Sequence, residues 1–337
     1  MAVTIKDVAK RAGVSLSTVS LVLNNKQNVS EETRLKVNQA IEDLKFHPRR
    51  HARGLASKRS GNIGFILTDD HFSRAEPFYT KIFLGTEFEA RKFDYYILLT
   101  TVSKTFKSGG PVPRFLLEAN VDGVIFAGKV ALGLVEHVQK LGIPCVLVDY
   151  AFKNDGLSCI LIDNVQGIRQ AITHLIKKGH RKIAFIGGEI NHPSINDRLL
   201  GYKEALKENH IYVDEALIST DELYTGRNDG FRATERLLER GVEFTALLAS
   251  NDTMAIGAIQ CLRQNGLDVP AQVAVVGFDD IEAGLHVEPH LTTVRVEKEE
   301  LGAVALRRLM EMIETGRVIY GRTLIPVRLI LRGSTND

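Results

Sequence analysis

Polar side chains gather at a few points of this 337-residue sequence, each just after a short apolar run. Asp149 and Tyr150 end one such run, Asn251 and Asp252 end another, and Phe278, Asp279 and Asp280 end a third. Arg198 falls in the early turns of a helix that follows the Gly187-Gly188 pair. Carboxylates, an amide and an arginine able to form paired hydrogen bonds suit a polyol or other hydroxyl-rich small molecule, with aromatic rings for its apolar face. A second chemistry stands near the N-terminus. Ser15-Leu-Ser-Thr-Val-Ser20 reads as a hydroxyl-rich helix set off from the preceding one by a tight turn, a geometry suited to a DNA groove.

The elements that must position these groups differ between the two ends. Thr4-Ile-Lys-Asp7 has the residue types of a capping box, in which the Thr4 hydroxyl accepts from the Asp7 backbone and the Asp7 carboxylate reaches back. Ile5, Val8 and Ala9 follow at helical spacing. Gly13 takes the turn, where positive φ is free of steric cost. Ser15 caps a second helix over 16–23, and Ser30, followed by Glu31 and Glu32, caps a third. Leu35, Val37, Ile41 and Leu44 are expected to close a three-helix core. The Arg-rich segment 47–57 follows. Pro48 suits a first helical position, but Gly54 and a length of about ten residues make an isolated helix marginal, so the segment is expected to order only when something organises it.

From Gly61 onward the pattern becomes short β-type runs alternating with amphipathic helices. Strands are expected over 63–67, 95–100, 123–127, 145–149, 183–187, 246–250 and 273–278. Helices between them include 76–92, 165–178, 196–208 and 253–264. Such alternation predicts parallel sheets with helices on both faces, and a ligand beyond the carboxyl ends of the strands.

Charge separates the same two regions. Residues 1–60 carry 12 Lys and Arg against 5 Asp and Glu, a net of +7, so the remainder of a chain of net charge +2 carries −5. A basic head on an acidic body fits a polyanion bound through the head. The three cysteines, Cys145, Cys159 and Cys261, sit in apolar stretches without metal-ligand spacing and read as buried free thiols in a reducing compartment. No signal-peptide pattern precedes the first helix and the apolar runs are too short for a bilayer, so a cytoplasmic protein is expected. The sequence lacks a Gly-x-Gly-x-x-Gly, a phosphate-binding Gly-x-x-x-x-Gly-Lys and a Gly-x-Ser-x-Gly turn, which weighs against an enzyme; no cofactor or metal is expected.

The ordered string Thr4-Ile-Lys-Asp-Val-Ala, Ala12-Gly-Val-Ser, Ser17-Thr-Val-Ser, Leu23-Asn24 and Ala52-Arg-Gly-Leu55 continues through the body to Leu331-Arg-Gly-Ser334. It resembles the lactose-repressor (LacI/GalR) family of bacterial transcription regulators over nearly the whole chain. The resemblance implies an all-α helix-turn-helix head with a hinge helix, and an α/β periplasmic-binding-protein-like core of two parallel-sheet subdomains. The implied divisions are 1–47 for the head, 48–61 for the hinge and linker, and 62–337 for the core. Within the core, one subdomain takes 62–162 and 293–322, the other 163–292 and 323–337.

Residue by residue, the resemblance places Leu16, Ser17 and Leu21 at base-reading positions. Thr4, Ser15, Thr18, Ser20 and Asn24 fall on the DNA as well, with Thr18, Ser20 and Asn24 mostly at phosphates, which set register without carrying sequence information. Arg49, Arg50, Ala52 and Arg53 belong to the DNA-contacting hinge, and Leu55 matches a side chain that wedges into a central base step of the minor groove. Leu21 departs from relatives that often carry Arg or another polar residue there, which reduces guanine readout and favours thymine methyls. Packing of Leu21 into the three-helix core is the competing role.

In the core, the resemblance implies that Ser194, Arg198, Asn251 and Asp279 hydrogen-bond a polar effector. Asp149 and Tyr150 would face them from the other subdomain, with Phe78 and Tyr79 stacking on a sugar or base. Each has a competing structural role: Asn251 and Asp279 as helix caps, Arg198 in a surface ion pair with Glu204 or Asp197, and Phe78 in the core. The expected protein is a repressor. It would bind a near-palindromic double-stranded operator as a homodimer, under control of a small, sugar-like effector. The alternative controller is a protein partner, such as a phosphorylated carrier protein, docking near Tyr95-Tyr96 or 104–107. The residues after Leu331 hold no heptad repeat, so a dimer is expected over a tetramer.

Overall fold

The computed structural model describes residues 3–23, 28–46, 59–69, 78–103, 111–153 and 156–335, and the chain forms two compact units that meet at Gly61 and Asn62. The smaller unit contains α1 (Ile5–Ala12), α2 (Leu16–Leu23) and α3 (Glu31–Asp43). Asp7 closes the expected capping box, one carboxylate oxygen accepting from both the Thr4 N–H at 2.8 Å and the Thr4 hydroxyl at 2.7 Å. Gly13 ends α1 at φ 68° in the left-handed region, and Ser30 caps α3 by accepting from the Thr33 N–H.

The core of this unit is Val8, Ala9, Val19, Val22, Val37, Ala40 and Phe46, with Ile5, Ile41 and Leu44 packed against it. Leu35 does not join it and is 65% exposed, contrary to the expectation for α3. The physical reason is periodicity. Val37, Ala40, Ile41 and Leu44 already form one stripe, and Leu35 precedes it by two residues, about 200° around the helix. Phe46 supplies the missing bulk. Lys45 turns the chain at φ 47°, and the Phe46 N–H then bonds the Ile41 carbonyl at 2.9 Å, tucking the ring under the helix end.

The larger unit holds two six-stranded sheets. The first contains β1 (Asn62–Thr68), β2 (Tyr96–Val102), β3 (Gly123–Ala127), β4 (Cys145–Val148), β5 (Ser158–Ile162) and β11 (Gly321–Ile325), in the order β11-β5-β4-β3-β1-β2. The second contains β6 (Ile183–Gly188), β7 (Ile218–Glu222), β8 (Ala246–Ala249), β9 (Ala274–Asp279), β10 (Thr292–Arg295) and β12 (Arg328–Ile330), in the order β12-β10-β9-β8-β6-β7. Every pairing in the first sheet is parallel; in the second, β12 runs antiparallel to β10 at the edge. The helices are α4 (Phe78–Lys92), α5 (Arg114–Leu117), α6 (Leu132–Lys140), α7 (Asn164–Lys177), α8 (Pro193–Glu208), α9 (Arg227–Glu239), α10 (Asp252–Gln264) and α11 (Lys298–Thr315). Central strands are buried throughout, as expected for parallel sheets covered on both faces.

The chain passes between the sheets three times: after β5, between β10 and α11, and between β11 and β12. The second passage lies later than the expected boundary at 293, because Thr292–Arg295 still pairs with β9 and β12. Two of the crossings are tied together where the Asp163 N–H donates to the Ile325 carbonyl at 3.1 Å. All three cysteines are buried and free, and burial pushes the Cys145 thiol up to about 12 and the Cys261 thiol up to about 11, so neither is a reactive thiolate at neutral pH.

Glycines set the closest helix crossings in both halves. A Cβ on Gly85 of α4 would lie 1.9 Å from the Glu299 carbonyl oxygen of α11, and one on Gly302 of α11 would lie 2.0 Å from the Ile82 oxygen of α4. The α9–α10 crossing repeats the device with Gly230 and Gly257. Backbone meets backbone at these points, so a methyl has no flexible neighbour to displace. Gly302→Ala is expected to lower stability by about 1–3 kcal/mol or more. Urea unfolding reads this directly; an unchanged midpoint would show that the α4–α11 crossing opens freely.

Candidate functional site

In the smaller unit, α2 turns Val19 and Val22 into the core and leaves Leu16 45% and Leu21 38% exposed. Leu21 therefore lies on the outer face, not in the three-helix core. Ser15 and Ser17 are exposed, and Thr18 and Ser20 are half-buried. The Ser15 hydroxyl caps the helix, accepting from the Thr18 N–H at 3.1 Å, and also bonds the Ser17 and Thr18 hydroxyls at 2.7 and 2.8 Å. The Thr4 hydroxyl is committed to Asp7. Asn24, Arg49, Arg50, Ala52, Arg53 and Leu55 lie outside the described residues.

In the larger unit, strand ends build the cleft. Asp149 follows β4 at φ 57°, Glu189 follows β6 at φ 47°, and Asp279 closes β9 at φ 111°. Each non-glycine residue in this region costs on the order of 1–3 kcal/mol, and the surrounding contacts hold all three in place. The resulting cavity, about 90 Å³, is lined by residues reached from both sheets. Phe78, Tyr79 and Asp149 come from first-sheet elements; Ser194, Arg198, Asn251 and Asp279 come from second-sheet elements.

Asp149 links the two sets. The Tyr79 hydroxyl donates to one of its oxygens at 2.9 Å, and the Ser194 hydroxyl, on α8, donates to the other at 2.7 Å. Burial pushes the Asp149 carboxyl above the ordinary carboxylate range, opposed by the Ser194 bond, the Arg198 charge and the Tyr79 bond.

Arg198 is 4% exposed and organises the opposite wall. Its Nε donates to Asn164 Oδ1 at 2.8 Å, Nη1 to the Ser250 carbonyl at 2.6 Å, and Nη2 to Asp279 Oδ1 at 3.2 Å. The guanidinium carbon sits 3.7 Å from the centre of the Phe278 ring. Burial raises the Asp279 carboxyl, while Arg198 and Lys298 oppose the shift. Lys298, itself buried, donates to the backbone carbonyl of Asp279 and so grips the β9 terminus from the start of α11.

Seven of the eight residues expected around the effector thus line one cavity. Tyr150 is not in the lining; its ring packs edge-on to that of His192, with centres 5.6 Å apart. Arg198 makes no surface pair, and Asp279 caps no helix. Asn251 does cap α10, accepting from the Met254 N–H at 2.8 Å, and its amide reaches the Thr225 carbonyl at 3.1 Å, so it serves the fold while facing the cavity. Phe78 likewise belongs to the apolar core and to the lining. Glu189, His192, Ile195 and Thr225 also line the cavity and were not anticipated. The one local signal for them was His192-Pro193, since Pro at the first turn marks the start of α8.

The chain matches two family models: bacterial regulatory proteins of the lacI family over residues 4–49, and the periplasmic binding protein-like domain over 172–335. It is 35% identical to catabolite control protein A of Priestia megaterium, over 99% of this chain and all of that protein. A transcriptional regulator CelR–cellobiose complex superposes with TM-score 0.75 at 31% identity, covering 98% of this chain and 99% of that one. The lac repressor dimer bound to operator and the anti-inducer ONPF superposes with TM-score 0.82 at 30% identity, covering 99% of each chain.

Asp252, beside this wall, accepts from the Ile281 N–H at 2.8 Å and from the Thr293 hydroxyl. Burial and the nearby Asp279 charge push its carboxyl well above the ordinary value. A group raised in the folded state stabilises fully below its unfolded pKa, about 4, and loses that contribution as pH rises through its folded pKa. Asp252→Asn removes the titration at nearly constant volume. The melting temperature of the variant relative to the parent should therefore rise with pH from about 4 upward. Scanning calorimetry across that range tests it, and a pH-independent difference would contradict the assignment.

Proposed function

Because the chain belongs to the lacI family of bacterial regulatory proteins and is a DNA-binding transcriptional regulator, we propose that it is a repressor whose operator affinity is set by a small, uncharged, hydroxyl-rich molecule in the cleft. The observation that carries this reading is the Asp149 bridge. A carboxylate of the first half is bonded to Ser194 of the second, so a ligand that competes for Asp149 changes how the halves are held. In this reading residues 1–47 bind DNA, 48–61 link, and 62–337 sense.

The chemistry of the lining sets the ligand class. Three carboxylates, Asp149, Glu189 and Asp279, face one guanidinium, whose nitrogens are already engaged by Asn164, Ser250 and Asp279. Three of the five guanidinium N–H groups are used in this way, and the lining acceptors suit the hydroxyl donors of a polyol. A phosphorylated sugar would set its charge against the carboxylates in a partly dry cleft. The cellobiose in the CelR structure is a ligand of the favoured kind.

A homodimer is supported by the apolar side chains left exposed on α4 and the edge strand β2, including Leu84, Phe88 at 50% and Tyr96 at 63%. Twofold pairing would cover this face and present two heads to a near-palindromic site. The buried free thiols fit a reducing, cytoplasmic setting. Coupling of about 1–3 kcal/mol between cleft and head would change operator affinity roughly 5- to 150-fold.

Thermal unfolding with an external dye, against neutral sugars, sugar phosphates and nucleobases, tests the ligand class. A neutral sugar at 100 times its Kd should add about 2.7 kcal/mol of stability. The response should vanish in Asp279→Asn and Ser194→Ala, and the phosphate ester of the same sugar should give none. A response led by a sugar phosphate, or one that survives both substitutions, would overturn the proposed chemistry.

A further inference from the structure

We propose that α2 reads its operator half-site chiefly through the methyl groups of thymines, by way of Leu16 and Leu21. The inference rests on the DNA-binding reading and specifies what is recognised. In a helix-turn-helix unit the second helix enters the major groove, N-terminal residues first. The eight residues of α2, Leu-Ser-Thr-Val-Ser-Leu-Val-Leu, hold no Arg, Lys, Asn, Gln, Asp or Glu. The side chains that make paired hydrogen bonds to guanine or adenine, or accept from cytosine, are therefore missing from this helix.

The hydroxyls are partly committed to one another. Ser15, Ser17 and Thr18 share two bonds among themselves, which use two of their three hydroxyl protons. What α2 does offer is apolar. Val19 and Val22 are buried at 0% and 6%, whereas Leu16 and Leu21 stay out at 45% and 38%. Both flank the outward stripe occupied by Ser17 and Ser20. Five residues of helix separate the leucines by about 7.5 Å along the axis. Side chains this far apart reach different base pairs. The thymine methyl is the apolar group that the major groove presents. Two leucines at this spacing match two thymines a few steps apart in each half-site.

The test uses the full-length protein and a random double-stranded DNA library, from which bound duplexes are selected and sequenced. Each recovered half-site thymine is then replaced by uracil, which removes the methyl and keeps the hydrogen-bonding edge. Loss of one buried methyl should weaken binding about fourfold, and about fifteenfold when both half-sites are changed. Discrimination between thymine and uracil should disappear at one position in Leu16→Ala and at another in Leu21→Ala, with the remaining positions unaffected. Both side chains lie outside the core, so both variants should fold. Leu21→Arg should select guanine at the position Leu21 reads.

Equal affinity for thymine and uracil at every half-site position would overturn the inference, as would discrimination that persists in both alanine variants. Recovery of no preferred duplex would instead overturn the DNA-regulator reading on which the inference stands, and the two failures are distinguishable.

Discussion

The cleft depends on one buried guanidinium. Arg198 collects an amide oxygen from the start of α7, a carbonyl from the end of β8 and a carboxylate from the end of β9, while stacking on Phe278. A charge removed from water this fully is tolerated only when its partners are in place, because the desolvation cost otherwise exceeds the attraction. The arrangement is accordingly all-or-none. With Asn164, Ser250 and Asp279 gathered, the second-sheet wall has a fixed shape; without any one of them, a donor or a charge is left buried and unmatched.

Around that centre the polar residues are held under strain rather than relaxed onto the surface. Asp149, Glu189 and Asp279 occupy left-handed or neighbouring backbone regions, and burial raises the carboxyls of Asp149 and Asp279. Lys298 grips the β9 terminus from the helix that leads back to the first sheet, so the cleft wall and the crossing are joined by one side chain. Asp149, in turn, is shared by Tyr79 of the first half and Ser194 of the second. A ligand entering here meets groups that already hold the halves together, which is the physical requirement for a sensor: occupancy and domain arrangement draw on the same bonds.

The head follows an opposite economy. Its core is small and entirely apolar, with Phe46 tucked in behind the last helix, and its reading helix spends hydroxyls on its own cap. The larger unit buries charge in its cleft, and the smaller leaves two leucines of α2 exposed. Exposed leucines are ordinary on a surface. On a helix with no charged or amide side chain they are the dominant chemistry that helix offers.

Much of this was legible from the chain because the signals are short-range. The Thr4–Asp7 box, the Gly13 turn, the apolar runs of β1, β3, β4, β6, β8 and β9, the starts and ends of α7 and α10 and the end of α8 each depend on residues within a turn or two of one another. The strand ends could be named as a polar mouth because apolar runs stop there. Tertiary structure alone decided the rest. The partners of Arg198 lie 34, 52 and 81 residues away, and the bond between Ser194 and Asp149 spans 45. No local pattern encodes such a choice, and Asp197 or Glu204, nearer in sequence, offered a competing surface pair. Strands β5, β7, β10, β11 and β12 were missed: charged residues such as Glu222, Arg322 and Arg328 interrupt the apolar pattern of the edge strands β7, β11 and β12, whereas β5 and β10 owe their place to pairing with β4 and β9, which no local pattern announces. Leu35 and Phe46 exchanged places for a similar reason. Composition says how many apolar groups a small core requires, but only the packed helices determine which face is turned inward.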